Sequence, residues 1–130
     1  MKEKTSIWFE LAESDLDFAK NILKGGSRPH YAVHYCHQAI EKILKALVQE
    51  KTNEDPKRTH NFKTLCIQSK VEFPPDVEDF LTRLSPHYLA SRYPEDMKKF
   101  YSLYTASYAQ NILNETERVF SWFKNMILKK

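Results

Sequence analysis

The chain has 130 residues, with 20 Lys and Arg against 17 Asp and Glu, for a net charge of +3 that leaves five histidines uncounted. That length supports one domain with a single real core and excludes two, and so mild a basic excess does not by itself predict nucleic-acid binding. No stretch approaches the length of a membrane span, and the opening Met-Lys-Glu-Lys-Thr-Ser lacks an apolar signal core, so a cytoplasmic location is expected.

Helical periodicity predicts a first helix from Thr5 to Lys24, stopped by Gly25-Gly26, the chain's only two glycines. Its apolar arc reads Trp8, Leu11, Ala12, Phe18, Ala19, Ile22 and Leu23. Asp15 falls near the centre of that arc. A carboxylate there needs a partner, since an unpaired buried charge costs several kcal/mol; it either pins the helix to a Tyr, Lys or Arg or lines a polar pocket in the bundle.

A second helix begins near Pro29, a residue suited to a first turn, and runs to Lys51. Ala32, Val33, Cys36, Ala39, Ile40, Ile43, Leu44, Leu47 and Val48 make it apolar over about half its circumference, the mark of a central helix or an oligomer interface. Gln38, Lys42 and Lys45 line one flank, and Tyr31 and His34 extend the row upstream. With about 100° per residue these groups share one edge, either as an anion-facing wall or as a solvated, snorkelling flank.

A polar linker, Thr52 to Arg58, leads to a short helix over Asn61–Ser69, with His60 positioned to cap it or to face a pocket. Pro74-Pro75-Asp76 opens the next helix, which turns Val77, Phe80, Leu81 and Leu84 inward and ends at Pro86. The segment from Ser85 to Asp96 is the densest in functional residue types. Arg92, with Tyr93 beside it, lies in a proline-bounded loop where a guanidinium can grip a phosphate or carboxylate in two places, or lock the loop through Glu95, Asp96 or Asp15. A last helix, Tyr101 to Leu128, carries Tyr108, Ala109, Ile112, Thr116, Val119, Phe120, Phe123 and Met126/Ile127 as its core stripe.

No alternating stretch supports a strand. The expected fold is all-α: an antiparallel up-and-down bundle of four main helices plus one short helix, forming a single domain over residues 1–130. Cys36 and Cys66 read as small core residues, not a bridge or a metal pair. His34 and His37 have metal-ligand spacing but no third ligand, and nothing in the chain calls for a metal or a cofactor. Neither a Gly-rich phosphate loop nor a nucleophile triad is present.

In order along the chain, Ala12–Leu16 with Asp15, then Gln38-Ala39-x-Glu41-Lys42-x-Leu44-Lys45-Ala46-Leu47, then His60-Asn61-Phe62 with Leu65, then Tyr88 and Ser91-Arg92-Tyr93-Pro94 resemble a HEPN domain. This is the helical bundle of higher eukaryotes and prokaryotes named for nucleotide binding. The resemblance implies one of two roles. Small prokaryotic members act beside a minimal nucleotidyltransferase, some as toxin–antitoxin pairs. Others are metal-independent RNases whose dimers bring two Arg-x(4–6)-His motifs together.

Here residues 97 to 99 after Arg92 are Met97, Lys98 and Lys99, so the histidine is missing. Arg28 and His34 satisfy the bare spacing, but at the start of helix two, where the family does not keep its motif. Without an imidazole to handle the proton as a ribose hydroxyl attacks, the expectation is a non-catalytic nucleotide- or phosphate-binding homodimer partnering a nucleotidyltransferase. Arg92 would be the main anion contact, with Tyr93, Lys42, Gln38 and His60 around it and Asp15 orienting a basic group. The alternatives are a divergent RNase toxin and a plain assembly module that dimerises through the broad face of helix two.

Overall fold

The computed structural model describes residues 1–87, 98 and 102–129. The described helices are α1 (Glu3–Lys24), α2 (Pro29–Lys51), α3 (Phe62–Ser69), α4 (Pro75–Leu84) and α5 (Ala106–Leu128), with no strand among the described residues. They form the all-α bundle expected from the sequence. Three helices are long, while α4, at ten residues, is closer in length to α3 than to its long neighbours.

The breaks follow local chemistry. The Gly25 amide closes α1 on the Asn21 carbonyl at 3.1 Å, and Gly26 turns the chain at φ +73°, a conformation that penalises any side chain. Pro29 then starts α2. Asn61, not His60, caps α3: its Oδ1 accepts the Thr64 amide at 2.9 Å. Regular helix α4 ends at Leu84, two residues before Pro86, in a short 3₁₀ turn over residues 85–87. The last helix starts at Ala106, five residues later than the expected Tyr101. The reason is Thr105, whose Oγ1 accepts the Tyr108 amide at 3.0 Å and satisfies an orphan donor of the first turn.

Helix α2 is the centre of the bundle, packed by α1, α5 and α3. All nine residues of its broad apolar face are buried. That face is therefore used inside the protomer and does not serve as the dimer interface of the assembly-module alternative. Alanines 12 and 19 on α1 and 39 and 46 on α2 are completely buried, in the two helices that pack most extensively on each other. Cys36 is buried and Cys66 half-buried, both as free thiols pushed up to about 12 by burial. At the surface, Lys20–Glu117 and Lys124–Glu13 join α1 to α5, and Arg83 grips both carboxylate oxygens of Glu115 to join α4 to α5.

On α1 the buried line is Thr5, Phe9, Ala12, Leu16 and Ala19, while Leu11 and Phe18 face outward. Apolar residues cover more of this helix than its neighbours can hide, and packing chose Phe9 and Leu16 over the pair the sequence suggested. On α5 the expected stripe is buried except for Tyr108, which is exposed, and Met126, which is partly buried; Leu113 joins it. Thr116 is tolerated there because its hydroxyl donates to the Ile112 carbonyl at 2.7 Å. No described helix is long and apolar enough to cross a membrane.

Candidate functional site

The polar groups of α2 collect where α1 and the 52–60 linker cross it. Asp15 on α1 is half-buried and accepts from Lys42 Nζ at 2.6 Å, so the carboxylate that interrupts the apolar arc of α1 is an interhelix pin. Immediately before Lys42 in the chain, Glu41 is almost fully buried. Its Oε2 accepts from Lys45 Nζ at 3.2 Å and its Oε1 lies 2.8 Å from His60 Nδ1, the geometry of an imidazole N–H donating to a carboxylate. Lys45 also sits 5.3 Å over the Trp8 ring, so its charge is held between a carboxylate and an aromatic face.

His60 therefore reaches back to α2 across the linker, and Gln38 lies half-buried one turn before Lys42. Arg92 and Tyr93 lie outside the described residues, as does Tyr88. Lys42 and Lys45, expected as an anion-facing wall, each have a carboxylate partner, and this seam is close to electrically balanced.

Positive charge accumulates instead just beyond it. A groove of about 440 Å³ opens between the start of α1, the end of α2 and the linker. Lys4, Lys45, Lys57 and Arg58 line it, together with Trp8, Gln49 and Asp55. Asp55 accepts from Lys4 Nζ at 3.2 Å and from Gln49 Nε2 at 3.1 Å. The Gln49 bond, then the Lys4 bond and charge, hold its carboxyl below the usual range. Lys57 and Arg58 are exposed, and neither is in an ion pair among the described residues.

The linker that presents them is held by its backbone. Gln68 on α3 accepts the Lys57 amide at 2.9 Å and donates to the Asp55 carbonyl at 2.9 Å. At the other end Thr52 Oγ1 donates to the Val48 carbonyl, and the Lys2 ammonium donates to the Gln49 and Thr52 carbonyls, closing the C-terminal turn of α2. A loop anchored in this way can present Lys57 and Arg58 without first ordering itself.

Deeper on the same face of α2, His37 is wholly buried and stacks on the Phe62 ring at 4.5 Å. Burial first, then the neighbouring His34, His87 and His60, push its pKa down to about 3, opposed only by a hydrogen bond to the Ser85 backbone. Burial likewise lowers His34, with the nearby Asp15 and Glu41 charges pulling the other way. His37, Glu41 and Lys45 stand four residues apart on α2 and are all buried. Sequence reasoning did not single out Glu41 or the pair Lys57-Arg58 as site residues. The i, i+4 relation of Glu41 to Lys45 was the signal for the first; Lys57-Arg58 looked like any solvated linker. Among the described residues, no group of three or more His, Cys, Asp or Glu side chains is placed to hold a metal ion.

A family model described as HEPN domain matches residues 5–126. Among solved structures, the crystal structure of an archaeal HEPN homologue is 30% identical, covers 98% of this chain and 99% of its own, and superposes with a TM-score of 0.76. A crystal structure from Thermus thermophilus is similar in fold, at 21% identity, 96% and 99% coverage and a TM-score of 0.80. No match is found among curated proteins.

Proposed function

The chain belongs to the HEPN domain family, and within it we propose a non-catalytic nucleotide- or phosphate-binding module that works as a homodimer beside a minimal nucleotidyltransferase, in the manner of a toxin–antitoxin pair. The observation that carries the reading is the cation-lined groove. Lys57 and Arg58 stand there without carboxylate partners among the described residues, on a linker fixed by Gln68, with Trp8 as an aromatic wall. A guanidinium beside an ammonium suits a phosphate, which takes charge-assisted bonds from both.

Arg92 and Tyr93 are proposed as further contacts on the anion. Lys42 contributes from the seam, since an ammonium has three donors and Asp15 occupies one of them. Asp15 thereby orients Lys42, while Gln38 and His60 border the same edge of α2. The absence of a histidine after Arg92 supports binding over RNA cleavage.

Calorimetric titration with ATP, GTP and a short RNA tests this. Micromolar binding is expected, and Lys57→Ala with Arg58→Ala should weaken it by about tenfold or more, as should Arg92→Ala. Affinity unchanged in both variants would remove the site. Absence of heat with all three ligands would remove the function, and RNA cleavage dependent on Arg92 would replace it with the nuclease reading.

A further inference from the structure

Helix α1 carries apolar side chains on two opposite faces. One is the core line through Phe9 and Leu16. The other holds Ile7, Leu11 and Phe18, which are 55%, 44% and 51% exposed. Spaced four and seven residues apart, they fall within about 40° of one another around the helix and run for roughly 16 Å along it. Phe18 meets the Tyr35 ring edge-on at 4.6 Å, and Tyr31, 43% exposed, adds a second aromatic ring on α2. A continuous exposed apolar stripe with aromatic members is characteristic of an interaction surface.

Over the length of the stripe the charges along one edge are acidic, and the basic Lys24 continues the row only beyond Phe18, in the last turn of the helix. Glu3, Glu10 and Asp17 follow that edge, all exposed. Each is seven residues from the next, a step that drifts only about 20° around a helix, so the three form a row parallel to the apolar one. Among the described residues none of the three is in an ion pair. The other carboxylates of α1 are already neutralised, Asp15 by Lys42 and Glu13 by Lys124. A chain with a net charge of +3 thus keeps an uncompensated acidic row beside the exposed apolar stripe of α1.

We propose that this stripe docks an amphipathic helix of a partner protein whose apolar anchors are flanked by Lys and Arg. The anchors bury Ile7, Leu11 and Phe18, and the basic flank lies along Glu3, Glu10 and Asp17. Charge chooses between this occupant and the others. An antiparallel two-fold pairing with a second copy would set the two acidic rows along the same edge, carboxylate against carboxylate. A nucleic-acid backbone meets the same repulsion along Glu10 and Asp17, beyond the Lys57-Arg58 groove that Ile7 borders.

The test is fluorescence anisotropy of the full chain with a labelled Leu/Lys amphipathic helical peptide, against a Leu/Glu peptide of the same pattern. The Leu/Lys peptide should bind and weaken as salt is raised, and the Leu/Glu peptide should not bind. Leu11→Ser with Phe18→Ser should cost about tenfold or more in affinity, and so should Glu10→Lys with Asp17→Lys. All four side chains are exposed, so unchanged thermal melting confirms that each variant is folded. Failure of the Leu/Lys peptide to bind, equal binding of both peptides, or insensitivity to the charge reversals would overturn the proposal. A dimer in sedimentation that Leu11→Ser with Phe18→Ser dissociates would overturn it too, by assigning the stripe to a second copy.

Discussion

Replacing Glu41 by Leu should destabilise the protein by about 3 kcal/mol, a drop of roughly 10 °C in Tm for a chain of this size. The side chains of Glu41 and Lys45 are only 5% and 11% exposed, so removing the carboxylate strands an ammonium where water reaches it poorly. The Trp8 face that Lys45 already occupies offsets only a small part of that cost. Losing Glu41 also releases His60, which ties the entrance of α3 to α2. The loss belongs to the stranded charge, so the double variant Glu41→Leu, Lys45→Met should regain most of it. Chemical denaturation of the two single variants and the double variant measures the coupling. Losses that simply add would show that the pair is not interdependent.

A second large effect is expected from acid. His37 is neutral in the folded chain because its pKa is held down to about 3, against 6.5 when solvated. Below pH 6.5 the unfolded chain therefore binds a proton that the folded chain refuses, and stability falls as pH falls. The slope approaches about 1.4 kcal/mol per pH unit and amounts to about 2 kcal/mol by pH 5. His30, His34 and His87 are shifted in the same direction and steepen the same limb. In His37→Gln the pH 7 stability changes for other reasons, but the loss between pH 7 and pH 5 should shrink by about 2 kcal/mol. An identical pH slope in variant and parent would refute the assignment.

Much of this architecture is written locally. Gly25-Gly26, Pro29 and Pro74-Pro75 act through their own backbone limits, so those helix ends can be read from single residues. The uninterrupted apolar half of α2 predicted its central place. Asp15 declared itself as a carboxylate among apolar neighbours, but its partner lies 27 residues away on another helix, and only the packed bundle brings them together. The two faces of α1's apolar surplus were indistinguishable in one dimension. Phe9 and Phe18 stand nine residues apart, about half a turn out of phase, and which one is buried depends on where α2 and α5 arrive. Lys42 and Lys45 were legible as a row but not as ion pairs. The groove at Lys57 and Arg58 was illegible because a polar linker acquires a fixed shape only through Gln68, on the next helix.

The most extensive packing in the molecule joins α1 to α2, neighbours in sequence across the short turn at residues 25–28. Closing so short a loop costs little chain entropy, whereas bringing α5 onto α2 spans the whole middle of the chain. Folding should therefore begin as a helical hairpin, with α5 arriving afterwards on a surface already formed. Trimming Ile43, fully buried on α2, should then slow folding, while trimming Phe123 on α5 should mainly hasten unfolding. The two small turn glycines would in that way help to set the tempo of assembly for a bundle whose final stability lies largely elsewhere.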